Sequence, residues 1–477
     1  MERRSNAHIT HLLRNVQRGS IKPLWSLLED WPKGSALPVT QSVLSILTFE
    51  RQPAGNLDVE KFDHATAALL VLSRAMHEAS REHADLKPPM TLLLLPRLDC
   101  IVSWISLCFR YGRNSDGVDA DSDDESEGTE DEDPACKTKP AVMCVVQCGM
   151  LFCDILGYDP RTRIALQSSR IAAEFMVSLW LSCDADTGRP LFMLEPGVKV
   201  AQYYGCSINN AWSMFSGGSE AAKVAFLKRL YPDGNDTVVA TKLIKVGIAR
   251  LERMREACEQ RQWESLIIGR NIRETLKTFE EYLALGIPEV LRAFHGQSFL
   301  GCAMATVCSL TRYLASTQKS SALGFSLTLL LDPIQSWPSL LGASPLDAMC
   351  LLIEGGSVNV LVDILVGVPW RDCKNKLWEE SLQSLCTSIL VWITAYGFYP
   401  STSHALLEAI ESVDEAQVAD LMGRDAHWTM AIWCMLRGAV GLTRWVKSEA
   451  KVTKVCDNIL CRPHLLDRRR TQQKECS

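Results

Sequence analysis

The stretch Leu352-Ile-Glu-Gly-Gly-Ser-Val-Asn-Val-Leu-Val-Asp-Ile-Leu365 decides the fold. Leu346 to Glu354 is apolar at helical spacing, two glycines interrupt it, and Val358 to Val366 resumes it. Glycine beyond the last periodic residue is how a helix stops, because it alone enters the left-handed region without steric cost. The pattern is helix, glycine turn, apolar helix. A second copy of the idea runs from Tyr282 to Phe294, turning at Gly286.

Working outward, the same period recurs along most of the chain. Towards the N-terminus, helices are predicted over Val238–Glu259, Glu264–Leu285, Ile287–Phe294 and Phe299–Ala315. Towards the C-terminus they are predicted over Ala322–Leu331, Lys376–Tyr396, His404–Ser412, Glu415–Met422 and Ala426–Val446. The first hundred residues read the same way. Ile9, Leu12, Leu13 and Val16 share a face that ends at Gly19, and Asp58 caps a long helix carrying Phe62, Ala65, Leu69, Leu72 and Met76 that stops before Pro88-Pro89. Leu98–Phe109, Ala141–Leu156 and Ile171–Leu181 follow. Asp159-Pro160 is an N-cap followed by proline at the first turn, and Asp414-x-x-Gln417 is a capping-box pattern. Strand periodicity is nearly absent, so the fold class is all-α. The glycine junctions resemble those of armadillo-type arrays, which implies an irregular armadillo- or HEAT-like helical solenoid. Gly286 and Gly356 lie 70 residues apart, which is no clean multiple of the usual period of about 40 to 47 residues.

One segment breaks the pattern. Residues 114–140 have no apolar periodicity, and Asp116 to Asp133 carry eleven carboxylates and no basic residue. Such a run buries too little to offset chain entropy and reads as a disordered acidic insert between two apolar helices. Ser122 and Thr129 stand in acidophilic phosphorylation contexts. The net charge is −6, and without the insert the chain is mildly basic. That balance is too slight to predict nucleic-acid binding. The expected organisation is an N-terminal helical region over 1–113, the insert over 114–140, an armadillo-like region over 141–450 and a separate tail over 455–477.

The tail runs Val455-Cys-Asp-Asn-Ile-Leu-Cys-Arg-Pro-His-Leu-Leu-Asp-Arg-Arg-Arg-Thr-Gln-Gln-Lys-Glu-Cys-Ser477. Its Cys-Asp-Asn-x-x-Cys opening and Lys-Glu-Cys-Ser ending resemble the start of a MYND-type zinc finger. The match is to the kind found at the end of large helical proteins of mushroom-forming fungi. Structural zinc takes four thiolates or imidazoles in two close pairs. Cys456 and Cys461 form the first pair, and Cys476 would open the next. Only His464, stiffened by Pro463, lies near enough to replace a missing fourth ligand. The chain reaches Ser477 before the Cys/His-rich second half that the family carries. The resemblance therefore implies a finger that binds zinc, and short proline-containing peptides, once completed, and that holds zinc poorly as it stands.

Enzyme signatures fail one by one. His77 and His83 are six apart, where a zinc-protease helix needs histidines at i and i+4. Ser216-Gly-Gly-Ser219 lacks the nucleophile-elbow pattern, and no phosphate-loop or dinucleotide fingerprint is present. The strands and the Asn-His-x-Cys motif of a SET methyltransferase are also missing. Cys144, Cys148 and Cys153 sit among Val, Met and Phe and read as core thiols. The leading expectation is a non-enzymatic interaction protein with protein partners. The alternative is an intracellular enzyme with a site in the irregular stretch Asp184–Gly218. The opening Met-Glu-Arg-Arg-Ser-Asn-Ala-His lacks a signal-peptide core. The uncharged run Ser384–Tyr399 is shorter than the ~20 residues of a membrane span. Reduced thiols in the cytoplasm or nucleus, and no membrane association, are expected.

Overall fold

The computed structural model describes residues 2–114, 140–191, 206–218, 237–316, 345–367 and 376–417, apart from scattered positions within them, with isolated residues elsewhere. The acidic insert, the helix expected over 322–331 and the whole tail lie outside the described residues, and of the helix expected over 426–446 only isolated residues, Trp433 to Met435 among them, are described, as helix. The chain is mostly helical, with no strand among the described residues; an isolated bridge joins Cys183 to Pro190.

The chain divides into two compact units, Met1–Ala249 and Arg250–Ser477. In the first, the helices are α1 Glu2–Gln17, α2 Lys22–Glu29, α3 Ala36–Leu44, α4 Val59–Glu82, α5 Lys87–Leu94, α6 Leu98–Asn114, α7 Pro140–Tyr158, α8 Pro160–Ser168, α9 Arg170–Trp180 and α10 Ser207–Ser216. The division falls within α11, Thr237–Gln260. The second unit continues with α12 Ser265–Ala284, α13 Pro288–His295, α14 Phe299–Ser316, α15 Pro345–Glu354, α16 Ser357–Gly367, α17 Lys376–Tyr396 and α18 Pro400–Glu411.

In the first unit α7 packs along α6 and α10, with α4, α8 and α9 around them. Aromatic side chains fill the junction. Phe175 meets Phe109 and Phe152 edge to face at 5.8 and 5.2 Å, and Trp180 stacks on Trp212 at 4.4 Å. Local chemistry sets the helix starts. Asp159 accepts from Arg161 N at 2.8 Å while Thr162 Oγ1 accepts from Asp159 N, so both ends of a capping box close around Pro160. Ser169 caps α9, and Asp58 accepts from Lys61 N at the start of α4.

Two elements differ from the sequence expectation. The long helix does stop before Pro88-Pro89, at Glu82, but a helix not expected there begins at Lys87. The two prolines occupy the first turn of α5, where the missing N–H is unneeded. The stretch Asp184–Gly218 is also more regular than expected, because α10 lies inside it and buries Ile208, Trp212 and Phe215. Those residues are spaced i, i+4, i+7, a signal that the surrounding glycines obscured.

In the second unit α14 packs against α12, α15 and α16, and α18 against α15 and α16. Phe279, Phe294 and Phe299 form a triangle with ring centroids 4.8–5.5 Å apart. Both sequence-predicted glycine turns are present with positive φ: +63° at Gly286 and +101° at Gly356. Gly355 matters for a different reason. A Cβ there would lie 2.7 Å from Met304 Cβ and 2.8 Å from Gly301 O, so the turn seats against α14 only without a side chain.

The helical run Lys87–Arg113 is long and apolar enough, by length and composition, to cross a membrane. More than half of it is buried inside its unit, with Met90, Leu94, Ile101 and Ile105 fully enclosed.

Candidate functional site

The residues expected to bind zinc, Cys456, Cys461 and Cys476, lie outside the described residues, as does His464. Among the described residues, no group of three or more His, Cys, Asp or Glu side chains is placed to hold a metal ion. Two polar clusters and one group of thiols remain as the places where chemistry concentrates.

The first cluster joins α4 to α7. Ser73 Oγ donates to Asp154 Oδ2 at 2.5 Å. His77, one turn along α4, donates Nδ1–H to the Ser73 carbonyl at 3.0 Å, since a carbonyl can only accept. Its Nε2 then stands 3.8 Å from Asp154 Oδ1. Ser, His and Asp therefore meet, but not in the order that nucleophilic catalysis needs. There the serine hydroxyl gives its proton to the imidazole; here it bonds the carboxylate, and the histidine bonds a backbone oxygen. Burial pushes the Asp154 carboxyl above the usual range, against the opposing pull of Ser73 and His77.

The second cluster belongs to the other unit. Asp363 is buried in the apolar helix α16 and receives Arg312 Nε of α14 at 3.3 Å and Gln417 Nε2 at 2.9 Å. Desolvation raises its carboxyl too, while Gln417 and Arg312 work against the rise. Gln417 had been expected to close a capping box with Asp414. Asp414 does accept from Ala416 N at 2.9 Å, while the Gln417 side chain reaches Asp363, 54 residues away.

The thiols lie where α6 meets α7. Cys144 Sγ donates to Cys108 O at 3.3 Å, Cys148 Sγ to Ile105 O at 3.7 Å, and Cys153 turns the other way to Ser207 O of α10 at 3.2 Å. Cys108, Cys144, Cys148 and Cys153 carry free thiols. Burial pushes the Cys108 thiol up to about 12, which suppresses the nucleophilic thiolate. These are core side chains that satisfy backbone carbonyls.

The stretch assigned to an alternative enzymatic site is described at residues 184, 187–191 and 206–218. Asp184 accepts from Thr187 N and Oγ1 at 2.8 and 2.9 Å in a turn, and Ser216 Oγ caps back onto Trp212 O at 2.7 Å. No protein-family model matches the chain, and no curated protein is similar to it.

Proposed function

We propose that this chain is a non-enzymatic interaction protein, an irregular armadillo- or HEAT-like array of helix pairs with a MYND-like finger at its end. What supports the reading is the likeness of two helix junctions, α12–α13 at Gly286 and α15–α16 at Gly356, each with a left-handed glycine. In the second pair Gly355 lets the turn seat on α14. A stack of such pairs presents extended helical surface, which suits protein partners better than a small-molecule pocket. The zinc-binding role of Cys456, Cys461 and Cys476 rests on the tail's resemblance alone. Binding of proline-containing peptides follows from the same resemblance.

The test is zinc per chain after exhaustive dialysis, for this chain and for a form carrying an appended Cys/His-rich second half. Near none is expected in the first and about one or two in the second, because a structural site is four-coordinate and its binding energy is also the finger's folding energy. The completed form should also retain proline-containing peptides on an array. Stoichiometric zinc in the 477-residue chain would mean that His464 completes a self-contained knuckle. No zinc in either form would remove the finger from the reading and leave only the helical array.

A further inference from the structure

We propose that Ser73, His77 and Asp154 form an acid-responsive latch that fastens α4 more firmly to α7 when the medium turns mildly acidic. The argument begins with the tautomer. His77 Nδ1 is committed to the Ser73 carbonyl, so the neutral ring presents a bare Nε2 to Asp154 Oδ1, 3.8 Å away. Two lone pairs then face each other across the helix–helix contact. Histidine is the side chain that ordinarily changes charge between pH 5 and 8. A proton arriving at His77 can only go to Nε2, and it converts that facing pair into a cation opposite a carboxylate. Ser73, bonded to the other carboxylate oxygen, keeps Asp154 turned towards the ring.

Many charged side chains of the surrounding helices have partners of their own. Arg74 of α4 donates to Leu28 O and covers Trp31, and Glu78 pairs with Arg81 at 3.8 Å. Lys87 of α5 lies over the Tyr158 ring, and Asp159 is held by Arg161 of α8. Asp99 of α6 takes the Ser169 hydroxyl, Arg113 lies over Phe109, and Arg170 of α9 pairs with Glu174. Helices α3 and α10 carry no charged residue, and the charges of α2 are the exposed Lys22 and Glu29. Cys153, beside Asp154 on α7, points to α10 as a protonated thiol. Burial works against the Asp154 anion, and the Ser73 hydroxyl and the His77 ring oppose that rise and favour the carboxylate that the latch needs.

Amide hydrogen exchange over residues 70–82 and 148–158 tests this in the full chain at pH 5.5 and 7.5, corrected for the intrinsic rate. The variants are His77→Gln, Asp154→Asn and, as a control, His404→Gln, an exposed histidine of α18 paired with Glu408. The unmodified chain and the control should gain roughly two- to fivefold in protection on acidification, and both latch variants should lose that gain. His77 is more than half exposed, so its variant should keep the fold, which its thermal midpoint at pH 7.5 would check. The proposal is overturned if the unmodified chain shows no acid gain, or if His77→Gln keeps it in full.

Discussion

Asp154 in the first unit and Asp363 in the second are built alike. Each interrupts an apolar helix, accepts one hydrogen bond from a neutral side chain elsewhere in its unit, and faces one basic side chain. They differ in that basic group. Arg312 keeps its charge at any ordinary pH and stands 3.3 Å from the carboxylate, within hydrogen-bond reach. His77 stands at 3.8 Å and carries charge only when protonated. The same carboxylate tie is therefore permanent in one unit and conditional in the other. Buried carboxylates recur in helical packing, and it is the partner that decides whether the tie depends on the medium.

The largest expected effect comes from the permanent side. Gly355→Val should destabilise the second unit by about 3 kcal/mol in denaturant unfolding, because the new side chain meets the Gly301 carbonyl and Met304 Cβ, backbone and near-backbone atoms that cannot swing aside. An added Cβ at Gly286 meets no atom within 4 Å, so Gly286→Ala should cost only about 1–2 kcal/mol, for the left-handed backbone alone. Equal losses at the two glycines would show that the α14 contact is looser than its geometry.

Next is the tie itself. Asp363→Ala leaves Arg312 and Gln417 without their acceptor, but Arg312 is over half exposed and can rehydrate. A loss of about 2 kcal/mol is expected, below the usual range for breaking a fully buried pair. Asp363→Asn, which still accepts from Gln417, should cost about half of that. If the two variants cost the same, charge carries the tie and the amide contact adds little.

Asp154→Asn sharpens the comparison from the other side. Burial disfavours the Asp154 anion, while asparagine still accepts from Ser73. The change should stay within about 0.5 kcal/mol at pH 8. It should also remove part of the gain in stability on acidification. The raised carboxyl contributes fully below its unfolded value, near 4, and loses that contribution as pH rises through the folded value. Arg312→Gln should add to the gain in stability on acidification, because Arg312 opposes the burial that raises the Asp363 carboxyl.

The smallest effect is kinetic. Cys434 is exposed, whereas burial holds Cys108 and Cys386 up to about 12. A thiol reagent at pH 8 should label Cys434 promptly, and Cys108 and Cys386 only as their units unfold. Early labelling of Cys108 would mean that the α6–α7 contact opens readily.

The sequence by itself determined the helices and many of their boundaries. Apolar spacing, Gly356, Gly286 and the Asp159-Pro160 cap are local signals, and a helix forms its hydrogen bonds within its own segment. For the same reason α5 and α10 were partly legible after the fact: Pro88-Pro89 suits a first turn as well as a stop, and Ile208, Trp212 and Phe215 mark a helical face. Gln417 shows the limit. Its spacing from Asp414 fits a capping box, yet its amide reaches a carboxylate 54 residues earlier. The meeting of Ser73 and His77 with Asp154 was equally invisible, because it depends on how α4 lies against α7. Only tertiary structure decides such pairings: they join side chains far apart in sequence, and no local period encodes which helix faces return to each other.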